Sequence, residues 1–285
     1  MTSPRAQGLS DRIRLEAHRR SEDPQRLRRG LVFQRLLARL APHGLVLKGG
    51  YCLEVRLGQV ARTTKDIDLV GRLALAVDPD DLLDALDGVL TGSFDDGFSF
   101  RTSAPRRLRG EDAASPAWRV PVEALVDGAH FEHIKLDLVG QVDEVAGGTE
   151  QIEVSAPIAA PECGPVTVTA VDVYQHAAEK LHAYSRLYSG RRPSSRVKDL
   201  VDLVLLIDAG LLTDPRRLAE RLVVVWGSRD RAAPPADLPT PPQGWADDLA
   251  RLLGDVGPRD LSLTAVHELV TALYTSAIDD EGTSA

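Results

Sequence analysis

The chain has 285 residues, a formal net charge of −8 and 43% hydrophobic residues, which is the profile of a globular protein with a buried core. Its two cysteines are too few for a disulfide framework or a four-cysteine zinc site, and its aromatic content of 5% argues against a long row of base-stacking side chains. No apolar run approaches the roughly 20 residues of a membrane span, and no signal peptide is visible, so we expect a cytoplasmic protein with no membrane partner.

Helices and strands alternate in the first half of the chain. Apolar periodicity and helix-breaking residues predict a helix over 30–40, a strand over 45–47, a helix over 51–57, a strand over 66–70, a helix over 80–90 with its N-cap near Asp78, and strands over 98–100, 118–125 and 131–139. This interleaving indicates a mixed sheet with helices.

The second half is predicted to be helical. Helices are expected over 171–188, 197–207, 215–226, 245–253 and 261–278, and the segment 232–244, with five prolines, is a surface loop or linker. We therefore predict an α+β fold in two domains, a core with a mixed sheet over 1–165 and a helical domain over 166–285.

Positive charge is concentrated in two segments. Residues 1–42 contain ten arginines and four acids, and residues 180–198 contain two lysines and four arginines with no acid between them. On an acidic protein such segments indicate polyanion binding at defined places. Solvated helix faces explain the first segment equally well, but they explain the second less well, since no acids are interspersed there.

Two carboxylates lie close together on the predicted strand over 66–70. Asp66 and Asp68 are separated by one apolar residue, so their side chains share one face of the strand while Ile67 and Leu69 pack into the core. Carboxylates that close repel each other unless a divalent cation lies between them, and Mg²⁺ suits phosphoryl or nucleotidyl transfer. The motif by itself is weak, because two solvated aspartates on an exposed strand face give the same pattern.

A pair of glycines lies between the first predicted strand and the next helix. The backbone N–H groups of Gly49 and Gly50 are suited to hold phosphate, and Lys48 adds a positive charge beside them. The alternative is a tight strand-to-helix turn without a ligand. The segment is not a Walker A motif, because the required Gly-Lys-Ser/Thr is missing.

A third carboxylate, Asp137, lies on the apolar strand over 131–139. An acid in such a strand is costly unless it is paired or bound to metal. Either Asp137 joins the metal site or it pairs with Lys135, two residues earlier on the same strand face.

Four short runs, in order along the chain, resemble the AbiEii/AbiGii toxin family of the polymerase-beta-like nucleotidyltransferase superfamily, which includes the MenT toxins of mycobacteria. They are LKGG at 47–50 followed by EVRL at 54–57, RTTKDIDL at 62–69, AEKLHA at 178–183 and RVKDLVDL at 196–203. Each run is modest alone, but the ordered set is specific. No motif matches after about residue 210, so substrate preference is not transferred.

The resemblance implies a polymerase-beta-like nucleotidyltransferase core and a helical C-terminal domain. It implies that Gly49 and Gly50 hold the triphosphate of an NTP, to which we add Lys48, Thr64 and Lys65 as nucleotide-binding residues. It implies Mg²⁺ or Mn²⁺ as cofactor, with the ligands Asp66, Asp68 and Asp137, the last at a position that is often Glu in relatives. It also assigns catalytic roles to Lys180, Asp199 and Asp202.

Relatives act as toxins paired with an antitoxin that is typically a winged-helix repressor, and several modify tRNA 3′ ends. We therefore predict that the 3′-hydroxyl of an RNA, with tRNA as the expected acceptor, attacks the α-phosphate of an NTP, with two metal ions about 3.5–4 Å apart. The basic residues assigned to the RNA backbone are Arg186, Arg191, Arg192 and Arg196. Alternatives are nucleotidyl or kinase-like transfer to a protein or small molecule, and a non-catalytic partner-binding module.

The remaining side chains leave further alternatives open. Lys180 is either a group that neutralises phosphate charge or an ordinary solvated lysine. Asp202 either forms a helical ion pair with Lys198 or, like Asp199, orients Lys180 or an RNA terminus. The seven histidines show no metal-ligand spacing, and His130 and His133 are predicted to belong to a strand edge.

Overall fold

The computed structural model describes residues 3–76, 78–92, 94–108, 116–188, 192–193, 196–257 and 260–281, with backbone alone at 187–188, 192–193 and 280–281. The chain forms two compact units. The first comprises Met1–Cys52, Thr63–Asp143 and Glu150–Ala170, and the second comprises Leu53–Arg62, Glu144–Thr149 and Val171–Ala285. Within the described ranges, none of the helices combines the length and apolarity of a membrane span.

The helices of the first half, apart from the one that begins at Gly49, begin at residues whose side chains cap them. They are α1 (Pro4–Arg20), α2 (Pro24–Leu40), α3 (Gly49–Leu57) and α4 (Pro79–Leu90). Ser3, Asp23 and Asp78 each accept a backbone N–H at the start of a helix whose first residue is proline. The cap at Asp78 is confirmed, α2 begins six residues before the predicted start, and α1 was not predicted.

Eight strands of the described chain form one mixed sheet. They are β1 (Val46–Lys48), β2 (Asp66–Val70), β3 (Phe98–Thr102), β4 (Arg106–Arg107), β5 (Ala117–Val126), β6 (Ala129–Val139), β7 (Thr149–Val154) and β8 (Val166–Val171). Their order is β3-β5-β6-β2-β1-β8-β7, with β4 paired to β5. β2 runs parallel to β6 and antiparallel to β1. The predicted mixed sheet is confirmed, although β4, β7 and β8 were not predicted.

The β5–β6 hairpin contains a bulge. Its turn is Asp127-Gly128, and both residues have positive φ, as a type I′ turn requires. Leu125 pairs with His130, whereas Ala124 pairs with Glu132, so that Phe131 is the extra residue. Beyond the bulge every partner of β5 is shifted by one position along β6.

The N-terminal basic segment is largely paired within the first unit. Arg39 is buried and donates to Asp96 at 2.9 Å, and Arg35 approaches the same carboxylate at 3.4 Å. Arg12 pairs with Glu162 at 2.8 Å. The segment 1–42 therefore presents less positive charge to a polyanion than its ten arginines suggest.

The second unit is helical, as predicted. Its helices are α5 (Val173–Ser185), α6 (Val197–Asp208), α7 (Pro215–Asp230), α8 (Ala246–Asp255) and α9 (Leu263–Glu281). α5 is shorter than predicted, because 187–188 form strand β9 (Leu187–Tyr188), which pairs with β10 (Arg192–Pro193). Leu181, Leu203, Leu222 and Val266 belong to the buried core of this unit.

Candidate functional site

Three carboxylates share one face of the parallel pair β2–β6. Asp68 and Asp137 are register partners, and Asp66 lies two residues before Asp68 on the same face. Ile67 and Leu69 are fully buried on the opposite face, as predicted. Asp66 Oδ1 is buried and has no hydrogen-bond partner among the described residues. An orphaned carboxylate oxygen on the same face as two further acids fits a divalent cation.

Arg119 on β5 bridges two of these carboxylates. Its Nε and Nη2 donate to the two oxygens of Asp137 at 2.7 and 2.6 Å, and Nη2 also reaches Asp66 Oδ2 at 3.3 Å. The hydrogen bond to Asp137 and the attraction of the acids raise the pKa of Arg119 against the effect of burial. Asp137 thus pairs with Arg119, whereas Lys135, the partner weighed from sequence, is exposed.

The glycine pair forms the first turn of α3. No loop separates it from β1, because β1 ends at Lys48 and α3 begins at Gly49. Gly49 has φ +68°, and a Cβ built on it would lie 2.0 Å from Asp68 Oδ2. The N-terminus of α3 therefore comes against the carboxylate strand, and Lys48 is the register partner of Asp68 on β1.

The residues before Asp66 differ in their surroundings. Thr64 is buried and its hydroxyl donates to the Asp66 carbonyl at 3.2 Å. Lys65 is exposed and lines a cavity of about 440 Å³. Arg29, Glu132 and Lys135 are the other charged residues of this lining.

A second cluster of charges is buried in the second unit. Lys180 Nζ donates to Asp202 Oδ2 at 2.6 Å and to Asp199 Oδ1 at 3.2 Å. Arg62 donates to both oxygens of Asp202, at 2.8 and 2.9 Å. Arg196 Nε lies 2.7 Å from Asp199 Oδ2. Both aspartates therefore orient Lys180, and the alternative of a solvated lysine is wrong.

Lys180 and Asp202 each favour the charged form of the other. Burial lowers the pKa of Lys180, but attraction to Asp202 and Asp199 outweighs it, and the pKa lies above its ordinary value. Burial likewise raises the pKa of Asp202, but Lys180 and Arg62 outweigh it and the pKa is lowered. Lys180 is thus a fixed ammonium rather than a proton donor or acceptor at neutral pH.

The four arginines assigned to RNA are only partly described. Arg196 is exposed but paired with Asp199, and Arg186 is half-buried. Arg191 lies outside the described residues, and Arg192 is described by its backbone alone. Their assignment to RNA therefore stays a prediction.

Four residues of these clusters were missed from sequence. Arg119 and Arg62 had no assigned role, and a regular register from the Asp127-Gly128 turn would have paired Arg119 with Leu136 instead of Asp137. His176, four residues before Lys180 on α5, had no assigned role either; it is buried, and neither of its ring nitrogens has a hydrogen-bond partner among the described residues. Glu123 lies beside His130 and His133, and one ligand atom from each comes within 4.8 Å of the other two, a grouping that the spacing of the histidines along the chain did not reveal.

Comparisons with known proteins cover most of the chain. A family model described as nucleotidyl transferase AbiEii toxin, type IV TA system, matches residues 31–272. Among solved structures the chain is similar to MenT4, a nucleotidyltransferase toxin from Mycobacterium tuberculosis H37Rv, at 21% identity and a TM-score of 0.53 over 89% of this chain and 85% of that chain. An antigenic nucleotidyltransferase-like protein from Paracoccidioides brasiliensis is similar at 15% identity and a TM-score of 0.41 over 81% and 93%. No curated protein sequence matches. The predicted α+β fold is confirmed by the first likeness.

Proposed function

Because the chain belongs to the AbiEii family of nucleotidyltransferase toxins of type IV toxin–antitoxin systems, we propose that it transfers a nucleoside monophosphate from an NTP to the 3′ end of an RNA, with tRNA as the preferred acceptor. The observation that carries the transfer chemistry is the position of Asp66 and Asp68 on one strand face against the N-terminus of α3. Carboxylates beside a phosphate-binding helix end suit a metal-dependent transfer from an NTP.

The proposed metal ligands are Asp66, Asp68 and Asp137, with Mg²⁺ or Mn²⁺ as the ion. The orphaned Asp66 Oδ1 supports this assignment, whereas both oxygens of Asp137 accept hydrogen bonds from Arg119. Asp66 and Asp68 would therefore be the primary ligands, and Asp137 would bind the ion only if its pair with Arg119 opened. The bound ion supplies neutralisation of the triphosphate charge and activation of the attacking hydroxyl.

The chain's own groups bind and orient the nucleotide. The backbone N–H groups of Gly49 and Gly50, at the start of α3, bind phosphate oxygens. Lys48 and the exposed Lys65 add positive charge beside them. Thr64 supports this segment, because its hydroxyl donates to the Asp66 carbonyl. Lys180 is proposed to stabilise negative charge on the leaving pyrophosphate, with Asp199 and Asp202 holding its ammonium in one position.

A polyanionic acceptor is supported by the charged cavity beside the carboxylates. Lys65 directly precedes Asp66, and Lys135 is the register partner of Asp66 on β6. Both line the cavity of about 440 Å³ together with Arg29. Three cations next to the carboxylate face suit the phosphate backbone of a nucleic acid better than an uncharged acceptor. Arg186, Arg191, Arg192 and Arg196 remain proposed RNA contacts.

The test is a labelling assay with purified protein, total RNA, Mg²⁺ and each α-labelled NTP in turn. We expect label in a tRNA-sized band with the wild type, and at least a 100-fold lower rate with Asp66→Ala, because that change removes a primary metal ligand. The matched control is Asp84→Ala, which removes an exposed acid of α4 and should leave the rate unchanged. Circular dichroism of both variants checks that folding is intact.

Other outcomes separate the alternatives. Label in protein or in a small molecule, and none in RNA, would replace the RNA acceptor. Transfer of label from γ-labelled but not α-labelled NTP would indicate a kinase-like reaction. A folded wild type that transfers no label with any NTP would favour a non-catalytic binding module.

The family also implies a cognate antitoxin as partner. We propose that this antitoxin is of the winged-helix type, encoded by a neighbouring gene. Expression of the chain alone should arrest growth of a bacterial host, and co-expression of that neighbour should restore it. Arrest by the Asp66→Ala variant to the same extent would separate toxicity from nucleotidyl transfer.

A further inference from the structure

The outward face of the β5–β6 hairpin carries three side chains that are common metal ligands. Glu123 on β5 is the register partner of His133 on β6, and His130 lies three residues before His133. Glu123 Oε1 is 3.1 Å from His130 Nδ1, and the two imidazole rings have their centroids 4.4 Å apart. One ligand atom from each residue lies within 4.8 Å of the other two.

The bulge at Phe131 brings the two histidines together. In a regular strand, side chains three residues apart point to opposite faces. The extra residue shifts the alternation by one position, so His130 and His133 both point outward. Phe131 points inward, where its ring packs edge-on against Phe98 at 5.7 Å and lies under the Arg28 guanidinium at 4.5 Å. The packing of Phe131 thus holds the bulge and, with it, the grouping of the ligands.

We propose that Glu123, His130 and His133 form a binding site for a transition-metal ion of the zinc class, separate from the carboxylates of β2.

The ligand set decides the class of ion. Two imidazoles and one carboxylate suit Zn²⁺, Co²⁺, Ni²⁺ and Cu²⁺, whereas Mg²⁺ prefers oxygen ligands. Zinc bonds of about 2.0–2.2 Å place neighbouring donor atoms roughly 3.3 Å apart in a tetrahedral site. The Glu123–His130 distance already meets this requirement, and His133 is exposed and can close the remaining gap by side-chain rotation. Three protein ligands leave a fourth position open for water or for a group of another molecule.

Competing contacts of these residues are weak. The carboxylate of Glu123 also faces Arg101, but at 3.9 Å and with Arg101 mostly exposed. Glu132 accepts the backbone N–H of His133 and leaves its imidazole unaffected. His133 and Asp137 lie on the same face of β6, four residues and therefore about 13 Å apart, so the two sites do not share ligands.

The test uses wild-type protein without a histidine tag, titrated with Co²⁺ and observed through its visible d–d absorption, with Zn²⁺ displacement by calorimetry. We expect one equivalent of Co²⁺ with intense tetrahedral bands, displaced by Zn²⁺. His130→Ala and His133→Ala should each weaken binding by more than the roughly 10–100-fold that loss of an outer-shell partner costs, and Glu123→Gln should weaken it as well. All three residues lie on the outward face of the hairpin, so these variants should fold.

Two control variants give the result its meaning. His18→Ala removes an exposed histidine of α1, and Asp66→Ala removes the proposed magnesium ligand; both should leave the cobalt bands unchanged. Absence of bands in the wild type, or bands that survive in His133→Ala, would overturn the proposal. Bands that disappear in Asp66→Ala would also overturn it, because the ion would then lie at the carboxylates.

Discussion

Gly49 combines a left-handed backbone conformation with a close approach to the Asp68 side chain. Its φ of +68° lies in the region that residues with a side chain avoid, and a Cβ there would collide with Asp68 Oδ2 at 2.0 Å. The absence of a side chain therefore lets the start of α3 approach the carboxylate strand. The close approach, rather than the turn alone, requires glycine at this position.

We expect Gly49→Ala to lose activity beyond its loss of stability. Positive φ costs about 1–2 kcal/mol for alanine, and displacement of Asp68 by about 1 Å should slow transfer by roughly 100-fold. Gly44→Ala is the matched control, because Gly44 has φ +69° and its Cβ would meet nothing within 4 Å. Chemical denaturation and the labelling assay measure the two effects. Equal activities in the two variants at equal stability would contradict the role of the close approach.

His176 is a buried base that the folded protein holds neutral. Neither ring nitrogen has a hydrogen-bond partner among the described residues. Burial and the positive charges of Lys180 and Arg56 lower its pKa well below the ordinary 6.5, despite Glu179 and Asp202 nearby. The unfolded chain therefore binds a proton at a higher pH than the folded chain does.

This difference predicts the sign of a pH effect on stability. The free energy of unfolding should fall as the pH drops below about 6.5, because only the unfolded state then takes up the proton, and the loss approaches about 1.4 kcal/mol for each pH unit down to the folded pKa. His176→Phe should make this fall shallower by that amount in urea denaturation between pH 7 and pH 5. His18→Phe, at an exposed position, should not change it. A wild-type slope retained in His176→Phe would assign the effect to other groups.

At the scale of elements, one bulge sets the contacts of two clusters. Without Phe131 as an extra residue, Arg119 would face Leu136 instead of Asp137, on the other side of the hairpin. The same shift aligns His130 with His133. The hairpin therefore places Arg119 beside the carboxylates of β2 and β6 only in its bulged register.

A double-mutant cycle should measure the coupling free energy of the Arg119–Asp137 pair, which exists only in the bulged register. We expect a coupling free energy of roughly 1–3 kcal/mol for Arg119→Ala with Asp137→Asn, because the pair is bidentate and Asp137 is buried. Arg5 and Asp127 provide the comparison, since that pair is exposed and should couple by under about 1 kcal/mol. Urea denaturation of the wild type and the six variants gives both coupling free energies. Equal coupling free energies in the two pairs would mean that the buried Arg119–Asp137 pair stabilises the protein no more than an exposed pair does.

At the scale of the whole molecule, the net charge of −8 hides an uneven distribution. Several arginines of the N-terminal segment form ion pairs with acids of the same unit, such as Asp96 and Glu162. Lys65 and Lys135, in contrast, are exposed and line the cavity next to the carboxylate face. Binding of a polyanion is therefore expected at a local site on an otherwise acidic protein.

Salt dependence of tRNA binding should report on that cavity. Each neutralised phosphate contributes about −0.7 to the slope of log K against log salt for single-stranded RNA. Lys65→Ala combined with Lys135→Ala should therefore make the slope shallower by about 1.4, measured by fluorescence anisotropy. Arg14→Ala with Arg19→Ala, on the exposed face of α1, is the charge-matched control. An unchanged slope in the lysine variant would place the RNA backbone elsewhere.

Local patterns were sufficient for the elements that hold the predicted site. The strand β2 (Asp66–Val70) was predicted with both its ends, and Asp78 was predicted as the cap of α4. Capping and strand alternation depend on residues only a few positions apart, so that sequence alone reveals them. The helix α1 was missed because its many polar residues give little apolar periodicity, although Leu9 and Ile13 are fully buried.

The sequence by itself determined that Asp66 and Asp68 share a face, that Gly49 lies where a strand meets a helix, and to which family the chain belongs, because short spacings carry all three. Only the tertiary structure decided that Arg119 pairs with Asp137 and that Arg62 joins Lys180 at Asp202, since those partners are 18 and 140 residues apart. The physical reason is that a partner across a sheet depends on register. A single bulged residue reverses which face every later side chain of the strand occupies, and the local sequence does not show where the bulge lies.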